Sequence, residues 1–247
     1  MTLDQAIVEV QQICGWRTDK ATQIQSALQY AQTEREKPNR TYPWFLRKTN
    51  DSAIVTVANQ NQYNIPTDFI EETEELDGNL YIYLLSGTSN PANAPGNPQS
   101  RTVFLKKQNF QHFQIRYWGD WPYYLYYSPP SDVVLDTGTY IGPGVPRDYY
   151  LGDTFVLLGP VPNDVYQISW RYWAQDAQQA LGQTNKWLTY APWVLIGDAA
   201  AKISADLGYT QGMQTGATIS QSAAENLFRA TINRGEAGRR RRLGGRL

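Results

Sequence analysis

In Trp187-Leu-Thr-Tyr190-Ala191-Pro192-Trp-Val194-Leu195-Ile-Gly-Asp198-Ala199-Ala-Ala-Lys-Ile203-Ser-Ala-Asp-Leu207, apolar and small residues return every three or four positions. That spacing puts them on one face of a helix of about twenty residues. Gly208 closes it. Pro192 falls in the first turn, where proline is tolerated, or else kinks the helix. A second helix over Ser220–Asn233 follows, with Ala223, Ala224, Leu227 and Ile232 inward.

The same period governs the start of the chain. Leu3, Ala6, Ile7, Val10, Ile13 and Cys14 form one stripe. Thr2 is placed to cap it, with Gln5 as capping-box partner, and Gly15 ends it. A further helix runs from about Thr18 to about Lys37, with Ile24, Ala27, Leu28 and Ala31 inward, before Pro38 and Asn39 stop it.

Between these pairs the period shortens to two. Ile54–Val57, Tyr63–Ile65 and Leu80–Leu85 read as strands, the last after the Asp77-Gly78 turn. Residues 86–100 are a long polar loop of the kind usually functional or mobile. Strands resume at 102–106, 113–118, 123–127, 154–158 and 165–173. Their number, and the proline and glycine between them, predict an antiparallel sandwich or barrel without parallel α/β units. The expected fold is therefore α+β. Residues 1–46 and 186–234 form a helical bundle, 47–185 an inserted antiparallel β-sandwich or barrel domain, and 235–247 a flexible basic C-terminal arm.

Composition narrows function. The 247 residues contain one cysteine, Cys14, and one histidine, His112. No disulfide framework, multi-cysteine metal site or two-histidine mechanism is expected. No apolar run is long enough for a membrane helix, and Met-Thr-Leu-Asp-Gln lacks a leader pattern, so a cytosol-like compartment is expected. Charge is uneven. From Arg234 onward six arginines and one acid give +5, leaving −6 on residues 1–233. Arg234, Arg239, Arg240, Arg241, Arg242 and Arg246 keep their charge at any working pH and suit forked recognition of acidic or phosphate groups. The arm is expected to meet a nucleic acid or an acidic groove on another protein. A merely solvated terminus is the plainer alternative.

Enzyme-like strings are sparse. Val133-Val134-Leu135-Asp136-Thr137-Gly138-Thr139 has the form of an aspartic-protease site, where two aspartates share a proton. It occurs once, so catalysis needs a dimer, and Asp-Thr-Gly is also an ordinary turn. The acids Asp68, Glu71, Glu72, Glu74, Glu75 and Asp77 lack the spacing and central glycine of a calcium loop. Gly142-Pro-Gly144 is no phosphate loop. His112, between Phe110 and Phe113, and Cys14, on the first stripe, are expected to be structural. No catalytic residue, metal or cofactor is expected.

The aromatics carry more weight. Trp118, Trp121, Tyr123, Tyr124, Tyr126 and Tyr127 crowd one stretch, and Tyr166, Trp170, Tyr172 and Trp173 another. Strand alternation sends them to two faces. Burial against a partner subunit, packing in a core and stacking on sugars or bases all remain open. Trp118, Trp121, Tyr123, Tyr124, Tyr126, Trp170 and Trp173 are the candidates for a subunit or tail interface.

Several strings occur together and in order: Pro43-Trp44-Phe45-Leu46-Arg47-Lys48, then Tyr63-Asn64-Ile65-Pro66-Thr67-Asp68-Phe69, then Trp187-Leu188 and Gly197-Asp198-Ala199-Ala200-Ala201. In these the chain resembles the head-to-tail adaptor, or connector, proteins of tailed bacteriophages, especially the podovirus type. The resemblance spans nearly the whole chain. It implies a helical bundle with an inserted β-domain, a homo-oligomeric ring of usually twelve copies beneath the portal, and a C-terminal segment that climbs onto the portal. It also implies a tail or nozzle protein at the β-domain, and a virion location after assembly in the host cytoplasm. The aromatic middle is larger than in the smallest members. The charge pattern fits a lumen through which genomic DNA slides without sequence-specific binding, since a body at −6 does not grip it. Nucleic-acid-binding and carbohydrate-binding or fibre-attachment modules are the alternatives, with an aspartic protease behind them.

Overall fold

The computed structural model describes residues 1–73, 79–85, 100–117 and 143–244. In chain order its elements are α1 (Leu3–Ile13), α2 (Ala21–Arg35), β1 (Arg47–Val55), β2 (Gln62–Asn64), β3 (Phe69–Glu72), β4 (Leu80–Leu85) and β5 (Ser100–Phe104). There follow β6 (Lys106–Lys107), α3 (Phe110–Tyr117), β7 (Asp148–Leu151), β8 (Phe155–Gly159), β9 (Gln167–Ala174), α4 (Lys186–Tyr190), α5 (Pro192–Asp206) and α6 (Thr210–Gly244). The protein is α+β. It divides into two compact units, one of Met1–Lys48 with Trp173–Leu247, the other of Thr49–Tyr172.

The first unit is helical. Thr2 caps α1: its hydroxyl accepts from the Gln5 N–H, and the Gln5 side chain accepts from the Thr2 N–H at 2.9 Å. Leu3, Ala6, Ile7 and Val10 are buried, as their spacing predicts. So are Ile24, Ala27, Leu28 and Ala31 of α2. A short 3-10 turn, Thr18–Lys20, leads into α2, so the helix expected from Thr18 comes in two pieces. The helix expected over 187–207 is also broken. Proline lacks an N–H and disfavours helical backbone in the residue before it. Ala191 accordingly sits at φ −145, ψ 48, and α5 begins at Pro192.

The largest departure is α6. It starts at Thr210, ten residues before the expected Ser220, and continues through Gly244, beyond the expected end at Asn233. The flexible-arm expectation for residues 235–244 is thereby corrected: their backbone is helical. Arginine is among the better helix formers, and a helix already nucleated extends readily. Arg246 lies outside the described residues.

The second unit is β-rich. One sheet has the order β1-β9-β4-β5, with β3 also paired to β9, and the other has the order β2-β8-β7-β6. β4 runs antiparallel to both neighbours, with Ile82 opposite Val103 and Ile168. Two sequence expectations fail here. β6 and β7 are parallel, not antiparallel. The strand expected at 113–118 is helix α3. Phe113 and Tyr117, four apart, face the core against Leu157, whereas Ile115 is 55% exposed, so the period of 3.6 wins. The Asn109 side chain starts this helix by accepting the His112 N–H at 2.8 Å. β3 and β7 are strands that the alternation did not single out.

Candidate functional site

Within the helical unit, α5 and α6 pack backbone to backbone through small residues. A Cβ on Gly197 would lie 2.5 Å from the Ser220 nitrogen, and one on Gly216 would lie 2.6 Å from the Ala201 nitrogen. Ordinary side chains would hold the axes apart. This contact explains why the first turns of α6 resemble a loop in sequence: Gly212 and Gly216 are weak helix formers, kept for closeness.

Two polar knots tie this unit together, and the first of them fixes the hairpin to α2. Arg35 of α2 donates both arms of its guanidinium to Asp198 of α5, at 2.9 and 3.1 Å, and also reaches Ser220 of α6 at 3.0 Å. Ser220 in turn donates to Asp198 at 2.5 Å. Deeper in the unit, buried Glu36 accepts from the Trp187 indole N–H at 2.7 Å, from Gln32 at 3.1 Å and from the Asp176 N–H at 3.3 Å. Burial raises the Glu36 carboxyl above the usual glutamate range, against the lowering effect of these donors. Asn185 caps α4 by accepting the Leu188 N–H at 2.9 Å.

Past these knots α6 is held along a narrow seam. Gly212, Gly216 and Ser220 are buried and Ala224, Leu227 and Thr231 half-buried, while Met213, Phe228 and Ile232 are exposed. Near its basic end the Arg234 guanidinium sits 3.6 Å from the centre of the Trp44 ring. Trp44 in turn lies 4.9 Å from Tyr190, and Tyr190 stacks on Phe45 at 5.5 Å. This aromatic shelf, with Tyr190 and Trp193 largely exposed, carries the last described side chain of the basic helix. Arg239, Arg240, Arg241 and Arg242 follow on the last turns of α6.

Of the predicted interface residues, only Trp170 and Trp173 are among those described. Trp118, Trp121, Tyr123, Tyr124 and Tyr126 lie outside the described residues, as does the Asp136 string. Trp170 is wholly buried in the β-rich unit, 5.0 Å from Phe69, so it is a core residue there and not an interface one. Phe69 and Tyr172, with ring centres 5.0 and 6.0 Å away, pack against its indole. Trp173 is half-buried in the helical unit, 5.4 Å from Tyr42.

In the β-rich unit buried Asp148 and half-buried Glu72 are each paired with a phenol. Tyr117 donates to Asp148, which also meets Arg116 at 3.2 Å and accepts from Gln108 at 3.0 Å. Tyr149 donates to Glu72 at 2.7 Å, and Lys107 reaches the other Glu72 oxygen at 2.5 Å. Burial, and then the adjacent carboxylate, push both tyrosines well above the ordinary phenol range. His112 is exposed, beside Asn109. Among the described residues no group of three His, Cys, Asp or Glu is placed to hold a metal. No helix there is long and apolar enough to cross a membrane.

Two features were not anticipated from sequence. Trp16 stands 65% exposed with φ +62, straight after Gly15 at φ +78. For a bulky residue that conformation costs roughly 1–2 kcal/mol. Between α2 and α5 lies an open groove of about 590 Å³, with Ala27, Ile203 and Leu207 beneath and Lys20, Lys202 and Asp206 at its sides. The Gly15-Trp16 pair at a helix end was the one available signal for the first; the groove had none.

The chain matches no known protein family, and no characterised protein matches it in sequence.

Proposed function

We propose that the chain is a structural head-to-tail adaptor of a tailed bacteriophage, without catalytic activity, and a component of the virion. In this reading the helical unit is a bundle carrying the β-rich unit as an inserted sandwich. About a dozen copies form a ring between portal and tail, giving the genome a channel. The C-terminal helix with Arg234 and Arg239–Arg242 meets the portal. The β-rich unit meets a tail or nozzle protein.

The observation that carries this reading is α6. Its 35 residues make it about 52 Å long, against about 22 Å for the 15 residues of α5. A helix that outruns its packing partner and ends in four consecutive arginines is suited to an acidic or carbonyl-lined seat on another protein. Many copies on a ring would multiply such weak docking through effective concentration. The order of helical and β-rich segments is also the one the sequence resemblance implies.

The deciding experiment is the mass and symmetry of the assembled particle with and without the portal. Deleting residues 239–247 should leave the monomer folded and weaken portal attachment, and salt should weaken attachment of the intact chain. A truncated chain that still joins portals at full strength, with an intact chain that binds duplex DNA tightly at physiological salt, would make the protein a nucleic-acid-binding module instead.

A further inference from the structure

Trp16 is displayed at an energetic disadvantage. Its backbone is locked in the left-handed region, where a Cβ crowds the following carbonyl. Its N–H donates to the Gln11 carbonyl at 2.7 Å, and its own carbonyl accepts from the Thr18 N–H at 2.9 Å. The indole is left in solvent. Strain of this kind persists where the surroundings enforce it, and tryptophan is among the residues enriched at the energetic centres of interfaces.

The groove between α2 and α5 has the complementary chemistry. Ala27, Ile203 and Leu207 offer an apolar floor for a flat ring. The Lys202 ammonium already lies over an aromatic face, 4.6 Å from the centre of Tyr30, and can cover a second ring on its other side. The Asp206 carboxylate, at the rim, has no hydrogen bond or ion pair among the described residues and is an acceptor for an indole N–H. Charges match as well. Beside Trp16 the Arg17–Asp19 pair, 2.9 Å apart, presents both signs, as Lys202 and Asp206 do at the groove. Trp16 is not among the residues lining its own groove.

We propose that the α2/α5 groove of one copy receives Trp16 of a second copy. Donor and acceptor are different surfaces, so the contact is head-to-tail, the type that closes into a ring when the rotation between copies divides a full turn. The proposal rests on the adaptor reading and names one subunit contact within it.

The test mixes two single variants, W16C and D206C, under mild oxidation. Each alone serves as the control for buried Cys14 and for chance encounters. Cross-linked dimers should exceed those of either variant alone at least tenfold. W16A, checked for fold by circular dichroism, should lower the associated fraction about tenfold at fixed concentration in native mass spectrometry, and W16F should restore part of it. If wild type associates but the mixture cross-links no better than its controls, the contact is wrong and another surface joins the copies, leaving the adaptor reading intact. Wild type that stays monomeric at every concentration also overturns the contact. The adaptor reading would then be decided by assembly on a portal alone.

Discussion

Gly197 and Gly216 meet backbone to backbone: a Cβ on Gly197 would lie 2.6 Å from the Gly216 carbonyl oxygen, and one on Gly216 would lie 2.8 Å from the Gly197 carbonyl oxygen. In a free helix, alanine would be favoured over glycine by about 1 kcal/mol. Here the added methyl group meets main chain, which cannot rotate away. Overpacking of this kind costs about 1–3 kcal/mol. Gly197→Ala and Gly216→Ala are each expected to destabilise the protein by a net of up to about 2 kcal/mol in urea unfolding. A gain in stability from either would mean that α5 and α6 part freely.

The Arg234–Trp44 contact should couple the basic end of α6 to the aromatic shelf. The guanidinium is exposed, so the interaction is worth about 0.5–1 kcal/mol. A double-mutant cycle of Trp44→Ala and Arg234→Ala is expected to return that coupling energy. Strictly additive effects would mean that the two side chains do not hold one another in solution.

Glu36 should give a pH dependence of unusual sign. Burial raises its folded pKa above the ordinary 4.5. The folded chain therefore holds the proton more tightly than the unfolded chain does. The resulting stability is fully present below about pH 4.5 and is lost as pH rises through the folded pKa. Glu36→Gln keeps an oxygen for the Trp187 indole N–H. Relative to wild type, this variant should grow more stable with rising pH across that window and level off above it. A stability difference independent of pH would show that Glu36 titrates like a surface carboxylate.

Tyr117→Phe removes one donor from buried Asp148, which keeps Arg116 and Gln108. Leaving a buried carboxylate short of a partner costs about 1–3 kcal/mol. A loss in this range is expected in thermal or urea unfolding followed through the β-rich unit. An unchanged midpoint would mean that water replaces the phenol without penalty.

The elements legible in advance were those fixed within a few residues. The capping box of Thr2 and Gln5 needs nothing beyond its own turn, and the stripe Leu3, Ala6, Ile7, Val10 follows from 3.6 residues per turn. β4, Leu80–Leu85, is a run of apolar and aromatic residues after a turn signal. What failed was ambiguous at that range. Phe113, Ile115 and Tyr117 fit a strand by alternation, and Phe113 with Tyr117 fit a helix by their spacing of four. Only the burial of Phe113 and Tyr117 against Leu157 separates the two patterns.

Sequence alone set the helical ends, the β-rich middle and the basic terminus, because periodicity and charge are local properties of the chain. Tertiary structure decided the rest. It made Gly212 and Gly216 part of a helix by bringing α5 against them, and it put Trp170 in a core by bringing Phe69 against its ring. It brought Cys14 within 3.3 Å of the Ser204 hydroxyl, 190 positions away, and left Trp16 in solvent two residues later. Burial, close approach and exposure depend on residues far apart in the chain, and no local pattern encodes which of them will meet.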